Sequence, residues 1–262
     1  MRYIIRFSYS GAGFFGWQRQ REARSVQGEI ERALSLFLGE EITVTGAGRT
    51  DSGVNAVNCI AHFEMPDRKP VPEPAHFIYK INAILPKGIA IHEARPVQDD
   101  FHARFSAVSR EYRYFLHRKK DPFMDNFSWY CRYPLDISKM NIAARYLIGR
   151  HDFRCFEKTG GNNLTSICNI TAASWEYWIP PHVSMMGYDH EEGDFLVFTI
   201  RADRFLRNMV RAIVGTLVDI GRGRHEPEWV RSLVEDGTRQ DAGESVPGNA
   251  LFLDKVEYPA DK

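Results

Sequence analysis

The chain has 262 residues, 44% hydrophobic and 26% charged, with 34 basic and 34 acidic side chains and a formal net charge of zero. That balance belongs to a globular protein long enough for two domains, and it excludes a disordered chain. No apolar run reaches the length of a membrane span, and the opening "MRYIIRFSYS" lacks the apolar core of a signal peptide, so a cytoplasmic protein is expected.

The elements follow in chain order. "YIIRFSY" (3–9) reads as a strand with Ile5, Phe7 and Tyr9 on one face, and "SGAGFFG" after it as a glycine-rich loop. Ser25 can cap a helix whose Val26, Ile30, Ala33, Leu34, Phe37 and Leu38 fall at helical spacing. A short strand near 42–45, a polar loop "AGRTDSGVNA" (47–56) and a strand near 57–63 come next. Proline-marked "PDRKPVPEP" leads to a helix over 75–85 and a strand near 89–93.

The second half repeats the plan. Strands are expected over 105–118, 167–178, 194–202 and 250–258, and helices over 136–149, 203–220 and 228–235. Two α+β domains result, 1–103 and 104–262, each with a sheet bearing helices on one face. Cys59, Cys131, Cys155 and Cys168 form no CxxC pair and read as free thiols. The nine histidines show no ligand spacing, so no metal site is expected.

Charge is uneven along the chain. From His102 to Lys120, six basic residues face the single acid Glu111, and from Arg201 to His225 six arginines face Asp203 and Asp219. Such tracts can build one positive surface for a polyanion, or two solvated faces. On a helix starting at Asp203, Arg204, Arg207 and Arg211 would share the side opposite the apolar one. That side is either a wet face or a guanidinium ladder for phosphate or carboxylate. In "REYRYFLHRKK" Tyr112 and Tyr114 share one strand face, a texture that suits base stacking or simply a sheet packed on helices.

The loop at 47–56 sets Arg49 and Asp51 two residues apart between Gly48 and Gly53. Its ten residues admit a turn with an incidental ion pair, or a reactive carboxylate held in a cleft. An aspartic-protease half-site is disfavoured, because no apolar strand precedes Asp51 and a neighbouring guanidinium opposes proton sharing. A nucleophilic carboxylate, ionised and oriented, fits better.

"AGRTDSGVNA" resembles the GRTDxGVHA signature of the TruA-type pseudouridine synthases. Agreeing segments stand in order along nearly the whole chain: "GFFGWQRQ", "SVQG", "DFHARFSA", "REYRY", "MNIAARYLIGRHDF", "FLRNMVRAIVGTL" and "ALFL". The resemblance implies two similar ferredoxin-like α+β halves whose antiparallel sheets abut around a central RNA-binding cleft. It implies an isomerase converting uridine to pseudouridine in the anticodon arm of tRNA, at nucleotide positions 38, 39 and 40. The runner-up readings are a synthase acting on other tRNA or RNA sites, or a non-catalytic RNA-binding protein. It further implies a homodimer binding tRNA across both subunits, with no cofactor.

Residue by residue, Asp51 matches the family's nucleophile, and Tyr112 the tyrosine that stacks on the target base. Arg211 matches the arginine that pairs with the aspartate, Arg49 the one that helps hold the extruded nucleotide, and Leu251 the leucine near the base. Asn55 stands where the signature has His, and "VPGNALFL" departs from the more usual APAxGLxL.

Overall fold

A computed structural model describes residues 1–66, 73–160 and 164–259, and these carry ten strands and six α-helices, an α+β protein. The proline-marked stretch lies largely outside the described residues. Two compact units emerge: Met1–Arg110 with the residues from Phe252 onward, and Glu111–Leu251.

In the first unit, β1 (Arg2–Tyr9) pairs antiparallel with β3 (Asn55–Glu64) on one side and β4 (Ile89–Pro96) on the other. The short β2 (Thr45–Gly46) joins β3. The closing strand β10 (Leu251–Glu257) lies parallel to β3, with Phe252 opposite Asn55 and Leu253 opposite Ala56. The antiparallel expectation is therefore corrected at this pairing.

Helix α1 (Val26–Leu38) starts where Ser25 Oγ accepts from Gly28 N, and it stops at Gly39, whose φ of 70° lets its N–H reach Ser35 O. It buries Val26, Ile30, Ala33, Leu34 and Leu38. Helix α2 (Pro74–Ile84) has Glu73 accepting from Ala75 N and His76 N. Its Phe77 meets Phe37 edge-on at 5.5 Å and stacks on Phe63 of β3 at 6.4 Å. The strand expected at 42–45 forms only at Thr45–Gly46. Side chains of α1 take the earlier backbone donors: Ile42 N bonds Ser35 Oγ and Val44 N bonds the buried Glu31 carboxylate.

The second unit orders its strands β5 (Ser109–His117), β9 (Phe195–Ala202), β8 (Ile167–Tyr177) and β7 (Gly149–Asp152), with β6 (Trp129–Tyr130) parallel to β5. Helices α3 (Ile137–Arg145), α4 (Pro181–Met186), α5 (Met209–Gly221) and α6 (Trp229–Asp236) complete it. Every residue of α5 is buried except Arg211 and Asp219, and each buried Val, Ile or Leu there contributes about 1.5–3 kcal/mol.

Three expected boundaries move. β5 begins at Ser109 instead of 105, because 102–108 form a tight turn. α3 ends at Arg145, ahead of Gly149 with its φ of 115° and the strand β7. α5 begins at Met209 instead of 203, since Asn208 takes φ 65°, the only positive φ of a non-glycine described residue. Arg204 and Arg207 thus precede the helix, and the guanidinium ladder does not form along it. The four cysteines are free and buried.

Candidate active site

Asp51 sits on a loop of the first unit whose backbone is fixed on both sides. Before it, Thr50 O accepts from Trp17 N at 3.1 Å and Thr50 Oγ1 bonds the Tyr9 hydroxyl at 2.8 Å. After it, Val54 N donates to Asp51 O at 3.2 Å, closing a turn in which Gly53 has φ 78°. Ser52 Oγ donates to Phe14 O. The carboxylate-bearing residue itself is half-buried, and Arg49 is exposed.

The preceding glycine-rich loop explains this fixity. Gly11 lies so close to the Asp51 turn that a Cβ there would stand 2.4 Å from Gly53 C. Gly16, at φ 88°, would place a Cβ 2.6 Å from Thr50 O. Two backbones touch where no side chain fits, a task only glycine performs. Asn55 joins them: buried in β3, its Oδ1 accepts from Gly11 N at 2.8 Å. The residue that departs from the family signature is thus a structural acceptor beneath the loop.

Arg110 belongs to the basic tract between His102 and Lys120. Its guanidinium donates to three backbone carbonyls, Ala47 O at 3.1 Å, Arg104 O at 2.5 Å and Ala107 O at 3.3 Å. It braces the first residue of the Asp51 loop. No sequence signal marks such a role, because backbone carbonyls carry no residue identity.

In the second unit, Arg211 occupies the first turn of α5 and donates from Nε to Val246 O at 2.7 Å, while Val246 N returns to Arg211 O at 3.3 Å. The 242–247 segment lies directly on α5. A Cβ at Gly215 would stand 1.8 Å from Glu244 O, and Gly243 N bonds Thr216 Oγ1. Tyr114 holds the next carbonyl, Pro247 O, at 3.1 Å. Burial pushes the Tyr114 phenol well above its ordinary range, against a smaller opposing pull from Arg211. The Tyr114 hydroxyl therefore stays a donor. The Asn208 side chain and Arg239 both reach Ser245 Oγ, at 2.5 and 3.0 Å.

Tyr112, buried in β5, meets Phe205 edge-to-face at 5.1 Å and 88°. Its neighbour Glu111 is buried and takes both Nε and Nη2 of Arg201, at 2.9 and 2.6 Å. Leu251 is buried where a short 3₁₀ turn, Gly248–Ala250, hands over to β10. Within each unit, then, the expected site residues stand on braced backbone: Asp51 and Arg49 in one, Tyr112, Arg211 and Leu251 in the other. Among the described residues no group of three His, Cys, Asp or Glu could hold a metal, and no helix is long and apolar enough to cross a membrane.

A family model for tRNA pseudouridine synthase matches residues 6–106 and 143–259, which include Asp51, Arg211 and Leu251 but leave Tyr112 between the matched segments. tRNA pseudouridine synthase A of Parabacteroides distasonis is 43% identical over 258 residues, spanning 98% of this chain and 96% of that protein. Its namesake in Bacteroides thetaiotaomicron is 44% identical over 260 residues, spanning 99% and 91%. That of Vibrio campbellii is 37% identical over 262 residues, spanning 99% and 92%. A braced carboxylate loop on an α+β scaffold therefore belongs to an RNA-modifying isomerase. The chain is a member of the tRNA pseudouridine synthase family.

Proposed function

We propose that this enzyme converts uridine to pseudouridine in the anticodon arm of tRNA, at nucleotide positions 38, 39 and 40, with Asp51 as its catalytic carboxylate. The observation that carries the reading is the bracing of the Asp51 loop by Trp17, Tyr9 and the close-packed glycines 11 and 16. A fixed backbone under a half-buried carboxylate is what attack on a sugar carbon requires, because misplacement by an ångström is costly.

In the reaction the N1–C1′ bond of the nucleotide breaks, the uracil turns, and C5 bonds to C1′. The C5 proton leaves and N1 gains one, so nothing is oxidised or reduced. Asp51 either attacks C1′ or removes a proton from C2′ on the way to a glycal, and both roles need the ionised form. Tyr112 would stack on the extruded base and move the C5 proton. By the family resemblance Arg211 would pair with the aspartate, Arg49 would hold the extruded nucleotide, and Leu251 would wall the base. The family resemblance also supports a cytoplasmic homodimer with tRNA bound across both subunits.

The test is tritium release from tRNA carrying [5-³H]uridine. The wild-type chain releases tritium, and Asp51→Asn releases none while binding tRNA with comparable affinity. Release by the variant at the wild-type rate would remove Asp51 from the mechanism. Mapping pseudouridines by carbodiimide-blocked primer extension then identifies the sites. Stops elsewhere than positions 38 to 40 would favour a synthase of different target.

A further inference from the structure

The turn at 101–108 combines a fully braced backbone with an unusually exposed tip. Phe105 is 75% exposed, on a loop where an apolar ring gains nothing from folding. Mobile loops carry such rings by accident, but this loop is not free to move. His102 N donates to Ser106 Oγ and His102 O accepts from Ser106 N. Ala103 N donates to His62 Nδ1 at 3.1 Å, and Ala103 O accepts from the Tyr258 hydroxyl at 2.7 Å. His102 Nδ1 accepts from both Arg104 N and Phe105 N at 3.2 Å. Arg110 holds Arg104 O and Ala107 O, and Arg2 holds Phe101 O.

Side chains thus satisfy the backbone of an exposed turn almost group by group, where water would have sufficed. The outcome is a phenyl ring held out to solvent on a braced backbone. The His102 ring supports it at 4.4 Å, and the Arg104 guanidinium lies 5.5 Å from its centroid. Burial, with Arg2 and Arg104 nearby, lowers the His102 pKa, which keeps the Nδ1 lone pair available to the two N–H groups it accepts.

The geometry points to Phe105 as a stacking platform for an unpaired base of the tRNA substrate, with Arg104 beside it for the phosphate of the same nucleotide. A rigid aromatic face next to a cation matches the two halves of a nucleotide, the flat base and the anionic backbone. Within the first unit the exposed ring has the Arg104 guanidinium at its side, and a cation there suits a polyanion better than an apolar protein surface. Rigidity adds to affinity, because the ring loses little freedom when a base lands on it. Arg110 also ties this turn to Ala47, the first residue of the Asp51 loop, so one guanidinium braces both. The assignment rests on the proposed action on tRNA and adds a second contact to it.

The experiment measures affinity of the full-length protein for an unmodified tRNA transcript by fluorescence anisotropy. Stacking of one base on one ring predicts that Phe105→Ala binds about 5- to 150-fold more weakly. Phe105→Trp should restore affinity, and Phe105→Leu, apolar but without a π face, should behave like the alanine variant. Thermal midpoints should not move, since the side chain is exposed. Equal affinity of Phe105→Ala and wild type would overturn the platform. So would full affinity of Phe105→Leu, or a change in sedimentation with unchanged RNA affinity, which would make the ring a protein contact. Wild-type protein that binds tRNA yet releases no tritium would sink the proposed function instead, leaving the comparison of variants readable.

Discussion

Asn55 Oδ1 accepts the Gly11 N–H at 2.8 Å, joining two loops from inside the first unit. In asparagine Oδ1 and in histidine Nδ1 both lie two bonds from Cβ, so a neutral imidazole can receive the same hydrogen bond. Asn55→His is therefore expected to retain activity, although the side chain is buried. Asn55→Leu leaves Gly11 N unsatisfied in the interior, which costs about 1–3 kcal/mol. Denaturant melts and tritium release check both. An inactive histidine variant beside an active leucine variant would contradict the role assigned to Oδ1.

Gly16 offers a sharper probe of loop placement. Alanine there meets Thr50 O at 2.6 Å and must hold φ near 88°, so the loop has to move or the chain bear about 1–3 kcal/mol of strain. Since Thr50 directly precedes Asp51, Gly16→Ala should lower kcat by more than its loss of stability explains. A variant with a lowered melting midpoint and wild-type kcat would show that Asp51 tolerates the shift.

The Arg211 bracket is tested from a distance at Gly215. An alanine Cβ would stand 1.8 Å from Glu244 O, so segment 242–247 must lift off α5 and take Val246 O away from Arg211. Gly215→Ala is expected to destabilise the second unit and reduce turnover sharply, read by thermal melting and tritium release. Unchanged turnover would mean that the Val246 contact does not position Arg211 for catalysis.

Acid sensitivity should come partly from His62. Burial, followed by the charges of His102 and Arg2, depresses its pKa from 6.5 to about 4, with Glu64 opposing. The neutral ring accepts from Ala103 N. As pH falls from about 6.5 to about 4, the unfolded chain takes up a proton that the folded one refuses. Stability then drops by at most about 1.4 kcal/mol per pH unit. His102 and His117 are shifted the same way, so the His62 share is read as a difference. His62→Asn keeps an acceptor but cannot titrate, and its stability should fall less steeply over that window in urea melts. An identical slope would assign the acid limb to other groups.

Local pattern was sufficient for elements whose signals agree with one another. Ser25 at the cap and apolar spacing through Leu38 name the same helix, and it forms over Val26–Leu38, closed by Gly39. The apolar period places the start of α5 too early, because Phe205 and Leu206 continue it. Leu206 is buried and Phe205 packs on Tyr112 ahead of the helix, and Asn208 breaks the backbone at φ 65°. Periodicity records which side chains are buried, not which dihedral carries them there. For the candidate site, family likeness along the chain proposes Asp51, Tyr112 and Arg211, together with Arg49 and Leu251.

The sequence by itself determined the α+β class, the family and the residue types that could do the chemistry, because periodicity and motif spacing are local properties of the chain. Only the tertiary structure decided that β10 returns to lie beside β3, that Arg110 is a brace rather than a free cation, and that glycines 11 and 16 press on the Asp51 turn. Each of these depends on backbone groups far apart in sequence. Backbone carbonyls and N–H groups are the same in every residue, so no reading of side-chain identities can say which of them will meet.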